Sequence, residues 1–333
     1  MGPAHHKKVI HMSKIKSNSK RNPGMPLNLD WVEGIQVNTS AVERRAKSYS
    51  GRRSIKKQHQ AAWLLKALSC IDLTTLAGDD TVNRVRRLCN KAKNPVRKDI
   101  LAALGVEKLN ITTGAVCVYH EMLEAASGFL KGSGVELAAV STGFPAGLTP
   151  FDMRVEEIRR SVAAGATEID IVISRRLVFA QDWQKLYDEV KEYREACGDA
   201  HLKTILATGE LATFRNVAKA SMVCMMAGAD FIKTSTGKES VNATLPVSLV
   251  MVRQIREYYQ RTGYKIGYKP AGGISTAKDS LLYLILMKEE LGRDWLEPEL
   301  FRFGASSLLG DIERQLEHHV TGKYSASFRH AMG

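Results

Sequence analysis

Glu168-Ile-Asp-Ile-Val-Ile-Ser174 is the stretch on which the fold turns. Side chains alternate across a strand, so Ile169, Ile171 and Ile173 share one apolar face and Asp170 takes the other. A strand with apolar residues toward a layer of helices and an acid on its second face belongs to a sheet covered on one side and closed on the other. Working outward, similar short runs recur at residues 68–74, 115–119, 137–142, 202–207, 231–236, 265–269 and 301–304. Amphipathic helical stretches lie between them, near residues 80–93, 120–131, 152–164, 182–196, 213–227, 246–261, 276–291 and 308–319. Eight β-then-α units over about 250 residues predict a (β/α)8 TIM barrel, an α/β fold whose working face lies at the C-terminal ends of its strands. An open doubly wound sheet is the alternative. It usually carries a G-x-G-x-x-G turn after the first strand, where this chain reads Ile71-Asp-Leu-Thr-Thr-Leu76.

The rest of the 333 residues divides around that unit. Residues 1–26 read as a disordered basic tail, residues 27–66 as an N-terminal helical extension, 67–322 as the catalytic barrel and 323–333 as a flexible C-terminal tail. Asn38 or Thr39 is positioned to cap a helix running to Arg53, and a second apolar periodicity covers residues 58–68. The net charge of +13 is concentrated: residues 1–60 hold 13 Lys and Arg against Asp30, Glu33 and Glu43. A near-neutral domain with a basic extension argues against a nucleic-acid partner. Gly51-Arg-Arg-Ser-Ile-Lys-Lys57 also reads as a candidate nuclear address, a weak motif. No apolar run is long enough to span a bilayer, and the N-terminus lacks the apolar core of a signal peptide. Five scattered cysteines without a C-x-x-C pair suit a reducing, cytoplasmic setting. His318 and His319 are adjacent and cannot face one ion from a helix, so neither a metal nor a cofactor is expected.

Three lysines complete the set begun by Asp170. Lys203, Lys233 and Lys269 each fall near the end of the fifth, sixth and seventh runs. A single strand-end lysine is ordinarily a surface residue. Four ionisable groups in register on successive strands point to chemistry. A carboxylate among three ammonium groups predicts a repelling cluster in which burial and like charge lower a lysine pKa. The neutral amine then attacks a carbonyl, and the resulting protonated imine serves as an electron sink for making or breaking a C–C bond. Beyond these lysines, Gly272-Gly-Ile274, Gly304-Ala-Ser-Ser307 and Thr236-Gly-Lys238 follow the last three strands, where barrels bind phosphate. Ser306 and Ser307 are also positioned to cap the final helix. An amine nucleophile beside a phosphate site narrows the reading to sugar-phosphate aldolases and their relatives. A transaldolase using Lys233 on a ketose donor is the nearest alternative. A barrel kept as a phosphate-binding scaffold, with its tail contacting RNA or a partner, is the alternative from another class.

These segments together resemble the deoxyribose-phosphate aldolases, over about residues 65–320. The stretches that carry the resemblance are Ile71-Asp-Leu-Thr-Thr75, Ala115-Val-Cys-Val-Tyr119, Glu168-Ile-Asp-Ile-Val172, Leu202-Lys203, Thr208-Gly-Glu-Leu211, Asp230-Phe-Ile-Lys-Thr-Ser-Thr-Gly-Lys238, Val241-Asn-Ala-Thr244, Lys269-Pro-Ala-Gly-Gly273 and Arg302-Phe-Gly-Ala-Ser-Ser307. The helical extension is similar to that of animal-type members. The resemblance implies reversible, metal-free cleavage of 2-deoxy-D-ribose 5-phosphate to D-glyceraldehyde 3-phosphate and acetaldehyde, in deoxyribonucleoside catabolism. It implies Lys233 as the Schiff-base lysine, Lys269 as its activating neighbour, Asp170 as the proton-relay acid and base, and Lys203 in the same network. Asp72, Thr74 and Cys117 match pocket-lining positions, Cys117 equally suiting a small buried apolar residue. Gly237, Lys238, Gly272, Gly273, Ser306 and Ser307 match the phosphate-binding turns. The chain departs from many bacterial members in two places. It continues past Tyr324 where they end in a tyrosine that reaches the site, and it has Ala207 where they have an acid. The partner expected is a small phosphorylated sugar, with assembly into a homo-oligomer left open and no membrane.

Overall fold

The computed structural model describes residues 21–331, Arg53 excepted. Eight parallel strands form its centre: β1 Ile71–Thr74, β2 Ala115–Tyr119, β3 Glu136–Ser141, β4 Glu168–Val172, β5 His201–Ile205, β6 Phe231–Lys233, β7 Gly267–Lys269 and β8 Phe303–Ala305. Each pairs with its sequence neighbour, and β1 also pairs with β8. Parallel bridges Tyr268↔Phe301 and Ala271↔Gly304 join β7 to β8 and close the ring. The backbone bonds there run from Arg302 N to Tyr268 O (3.1 Å) and from Gly304 N to Pro270 O (2.9 Å). The expected TIM barrel is the fold.

Alternation sorts the interior from the helix-facing layer. Ile169, Ile171, Leu202, Ile232, Tyr268 and Phe303 belong to the large core between barrel and helices. Cys117, Ala138, Val140, Phe144, Val172 and Ile205 form a separate apolar cluster inside the barrel. On β4 and β5 that cluster takes the last residue of each strand, so the inner wall is apolar there only toward the C-terminal ends. Some inward positions have no room: a Cβ on Gly267 would stand 2.3 Å from the Phe231 ring.

The N-terminal extension is helical as expected, with different bounds. Helices span Leu29–Gly34, Thr39–Arg52 and Lys57–Ser69, the last absorbing two residues expected to open the first strand. Asn38 is the cap, its Oδ1 accepting from Ala41 N at 2.9 Å.

Both termini differ from the expectation of free tails. Residues 1–20 lie outside the described residues, but Arg21–Met25 are fastened to the barrel. Asn22 N donates to Asp230 Oδ1 (2.9 Å) and Asn22 Nδ2 to Met225 O (2.7 Å) and Ala229 O (2.9 Å). At the other end His330 is buried against the last helix, Ser307–Thr321. Its Nε2 lies 2.8 Å from Glu317 Oε2 and its Nδ1 lies 3.4 Å from Glu313 Oε1. Polar side chains with buried partners override the polar composition that suggested disorder.

Candidate active site

The lysines expected at the barrel mouth lie deeper. Lys203, Lys233 and Lys269 are all buried inside, with Asp170 among them. Their placement follows from register. Asp170 stands beside Lys203 across β4–β5, and Lys233 beside Lys269 across β6–β7. Asp170 Oδ2 accepts from Lys233 Nζ and Lys269 Nζ, each at 2.7 Å. Lys269 Nζ also lies 2.5 Å from Asp72 Oδ2.

Beneath this triad is a second charged layer that sequence reasoning missed. Glu168 is one alternation below Asp170 on β4, and Arg302 directly precedes β8. Arg302 Nη1 donates to Asp72 Oδ1 (2.6 Å) and Glu168 Oε2 (3.2 Å), and Nη2 to Glu168 Oε1 (2.9 Å). Lys203 Nζ donates to Asp72 Oδ2 at 3.0 Å and also to Glu168. The expectation of one carboxylate among three cations is thus corrected. Asp72, Glu168 and Asp170 face Lys203, Lys233, Lys269 and Arg302. Asp72 is not simply a lining residue: it joins the two layers. The missing signal was the period of two itself, which puts Glu168 on the face of Asp170.

Charges in so buried a space are costly unless each is well paired. Lys233 is the only one of the four cations with a single carboxylate contact. Burial, reinforced by the Lys269 ammonium, outweighs Asp170 and pulls its pKa below the ordinary lysine value. Lys269 behaves oppositely to the expected repulsion. Burial opposes its charge, yet Asp170 and Asp72 together overcome that and raise its pKa, so it stays an ammonium. Burial likewise opposes ionisation of Asp170 and Asp72, but Lys233, Lys269 and Lys203 hold Asp170, and Lys203, Lys269 and Arg302 hold Asp72, below the usual carboxylate range. The result is an amine whose charge burial disfavours, beside a fixed ammonium and a fixed carboxylate, within one hydrogen-bonded triad.

Among the described residues Asp170 Oδ1 is buried with no hydrogen-bond partner, an acceptor left for a substrate hydroxyl or a water. Cys117 lies alongside, and burial pushes its thiol up to about 11, so it is a neutral wall residue of the inner apolar cluster. Thr74 Oγ1 donates to Asp72 O at 2.7 Å and is half-buried.

The phosphate candidates lie together at the C-terminal ends of β6, β7 and β8. The Ala271↔Gly304 bridge pairs the residue before Gly272 and Gly273 with the strand that leads into Ser306 and Ser307. Gly237, Gly272 and Gly273 have φ of 85°, 79° and 80°, a region other residues rarely adopt. Lys238 Nζ reaches across the mouth to Leu76 O at 3.2 Å. Ser306 occupies the N-cap position of the last helix, but its side chain makes no capping bond, contrary to expectation. Tyr324 is not at this face. It stacks on His318, with centroids 4.0 Å apart, near the C-terminus of the last helix and so at the opposite end of the barrel. A surface cavity of about 670 Å³ lined by Arg154, Arg175, Lys185 and Glu192 contains none of the charged cluster.

Known proteins resemble this chain along most of its length. A deoxyribose-phosphate aldolase from Homo sapiens is 60% identical over 310 residues, 92% of this chain and 98% of that protein. One from Mus musculus is 61% identical over 305 residues, covering 91% and 96%. Among solved structures, QR15, an aldolase, superposes with a TM-score of 0.58 at 25% identity, covering 77% of this chain and 99% of that one. The deoxyribose phosphate aldolase of Aeropyrum pernix, described as tetrameric, shares the fold at 22% identity, with a TM-score of 0.57 over 79% of this chain and 98% of its own. The family model described as DeoC/LacD family aldolase matches residues 66–308, nearly the whole barrel, and the chain belongs to that family.

Proposed function

We propose that this chain is a class I aldolase that reversibly cleaves 2-deoxy-D-ribose 5-phosphate to D-glyceraldehyde 3-phosphate and acetaldehyde. The observation that carries the reading is Lys233, a buried amine of lowered pKa that shares Asp170 with the ammonium of Lys269. The relatives at about 60% identity, named for this activity, support the substrate.

In this reading Lys233 Nζ attacks C1 of the open-chain aldehyde, and loss of water gives a protonated imine. Asp170, directly or through a water, takes the proton of the C3 hydroxyl. The C2–C3 bond breaks, its electron pair moves into the imine, and D-glyceraldehyde 3-phosphate leaves. The enamine on Lys233 is then protonated at C2, and hydrolysis releases acetaldehyde and the free amine. Lys269 keeps a positive charge beside Lys233, which favours the neutral amine before attack. Lys203 and Arg302 hold Asp72 and Glu168 ionised beneath the triad. Gly237, Lys238, Gly272, Gly273, Ser306 and Ser307 receive the phosphate, and the apolar wall around Cys117 and Val140 accommodates the two-carbon fragment. Among the described residues no helix is long and apolar enough to cross a membrane. A small phosphorylated sugar as substrate and a cytoplasmic setting accord with that.

A coupled assay with deoxyribose 5-phosphate is the direct test. Acetaldehyde with borohydride should label Lys233 alone, and Lys233→Leu should lose both label and turnover while keeping its fold. A label on another lysine, or ordinary turnover in Lys233→Leu, sinks the mechanism.

A further inference from the structure

The turn after β6 carries a carboxylate without a part in the chemistry above. In Thr234-Ser-Thr-Gly-Lys-Glu239 the last side chain folds back onto its own turn. Thr236 N donates to Glu239 Oε1 at 2.9 Å and Oε2 at 3.1 Å. Gly237 N donates to Oε2 at 3.1 Å, and Thr236 Oγ1 donates to the same oxygen at 2.8 Å. Successive amides converging on one acceptor make a concave anion-binding turn. Here the anion is the protein's own.

Glu239 is also tied to the neighbouring turn. Its carbonyl accepts from Asn242 Nδ2 at 2.9 Å. The Asn242 side chain lies over Gly272, where an added Cβ would come within 2.6 Å of it. Lys238 N donates to Thr236 Oγ1 at 3.1 Å, so the turn keeps its shape without any ligand. The carboxylate thus sits among the groups assigned above to the substrate phosphate.

One amide proton serves one strong acceptor, and a phosphate dianion is repelled by a carboxylate at contact range. We propose that Glu239 is a specificity-determining residue: an internal anion that must leave the Thr236–Gly237 amides before the substrate phosphate binds there. This rests on Gly237 as a phosphate ligand, as read above. Glu239 then holds affinity for phosphorylated sugars below what the amides and Lys238 alone would give. It has no such effect on sugars lacking the phosphate.

The test uses the full-length chain with Glu239→Gln, which removes the charge, and Glu239→Ala, which also frees the amides. Inorganic phosphate binding is measured by calorimetry, together with KM and kcat for deoxyribose 5-phosphate and for unphosphorylated deoxyribose. Both variants are expected to bind inorganic phosphate and the phosphorylated sugar about three- to tenfold more tightly, Ala at least as strongly as Gln, with the gain in KM. Unchanged or weaker phosphate binding in both variants overturns the proposal and leaves Glu239 as a brace for the turn. If the unaltered protein does not turn over deoxyribose 5-phosphate, the functional reading falls, and the phosphate calorimetry still decides the part played by Glu239.

Discussion

Lys233 makes one ionic contact where Lys203, Lys269 and Arg302 each make two. That asymmetry leaves Lys233 with the least support for its charge, and burial lowers its pKa. The same reasoning yields a pH prediction. Lys233 reacts as the free amine, so the rate of borohydride trapping with acetaldehyde should rise with pH through its pKa, which lies below 10.5. The Lys269 ammonium is one cause of that lowering. Removing it in Lys269→Leu should move the rising limb toward higher pH, besides reducing turnover. A limb that stays in place or moves toward acid would show that Lys269 does not poise Lys233. Much of this residue set was legible in the sequence, because alternation marks which side chains face inward. Depth was not legible: the period of two says which face a lysine takes, not how far below the mouth it lies. Strand ends therefore mark Lys203, Lys233 and Lys269, whereas Glu168 at the start of β4 and Arg302 just before β8 carry no such mark.

At the scale of elements, the strands beyond β5 are only three residues each. Such short strands cannot be fixed by their ladders alone, and the buried charges help to join them. Arg302 links β8 to β1 through Asp72 and to β4 through Glu168, across the barrel rather than along the sheet. Arg302→Leu should therefore lower stability by about 2–3 kcal/mol at neutral pH, since it removes a buried cation that Asp72 and Glu168 share and leaves each with lysine partners only. The sign of the pH dependence follows. Asp72 and Glu168 have folded pKa values below their unfolded ones, so their contribution is present above about pH 4 and lost as pH falls through the folded values. The gap between wild type and variant should accordingly narrow toward acid in chemical denaturation. A gap that is constant with pH would assign the loss to packing. Existence of all eight strands was legible from apolar runs. Their bounds were not, since the residues 68–69 belong to a helix and Phe301 pairs with Tyr268 outside the regular ladder. Nor could the sequence reveal that Glu239 turns back on its own loop, because nothing in a pattern of residue types specifies a side chain's partner.

Across the whole molecule, the two ends of the barrel do different work. The C-terminal ends of the strands carry the glycine turns and the triad, whereas at the opposite end residues 21–25 are bonded to the chain entering β6. Asn22 sits there at the foot of β6: its Nδ2 donates to Met225 O and Ala229 O, and its Oδ1 accepts from Tyr258 Oη at 3.1 Å. Asp230 links the same segment to β5, accepting from Asn22 N and from Leu202 N at 2.8 Å. Composition concealed this, because a single well-placed asparagine in a basic, polar stretch leaves no periodic trace. In a barrel this end governs stability rather than chemistry. Asn22→Ala takes this partner from the Ala229 carbonyl and the Tyr258 hydroxyl, while Met225 O keeps the Gly228 amide, a loss of about 1–3 kcal/mol. The variant should melt several degrees lower, while kcat/KM for deoxyribose 5-phosphate at 25 °C stays within about twofold of the unaltered protein. If activity falls in step with stability, the two ends are coupled through β6, and Lys233 owes its position to a contact made at the far end of its own strand.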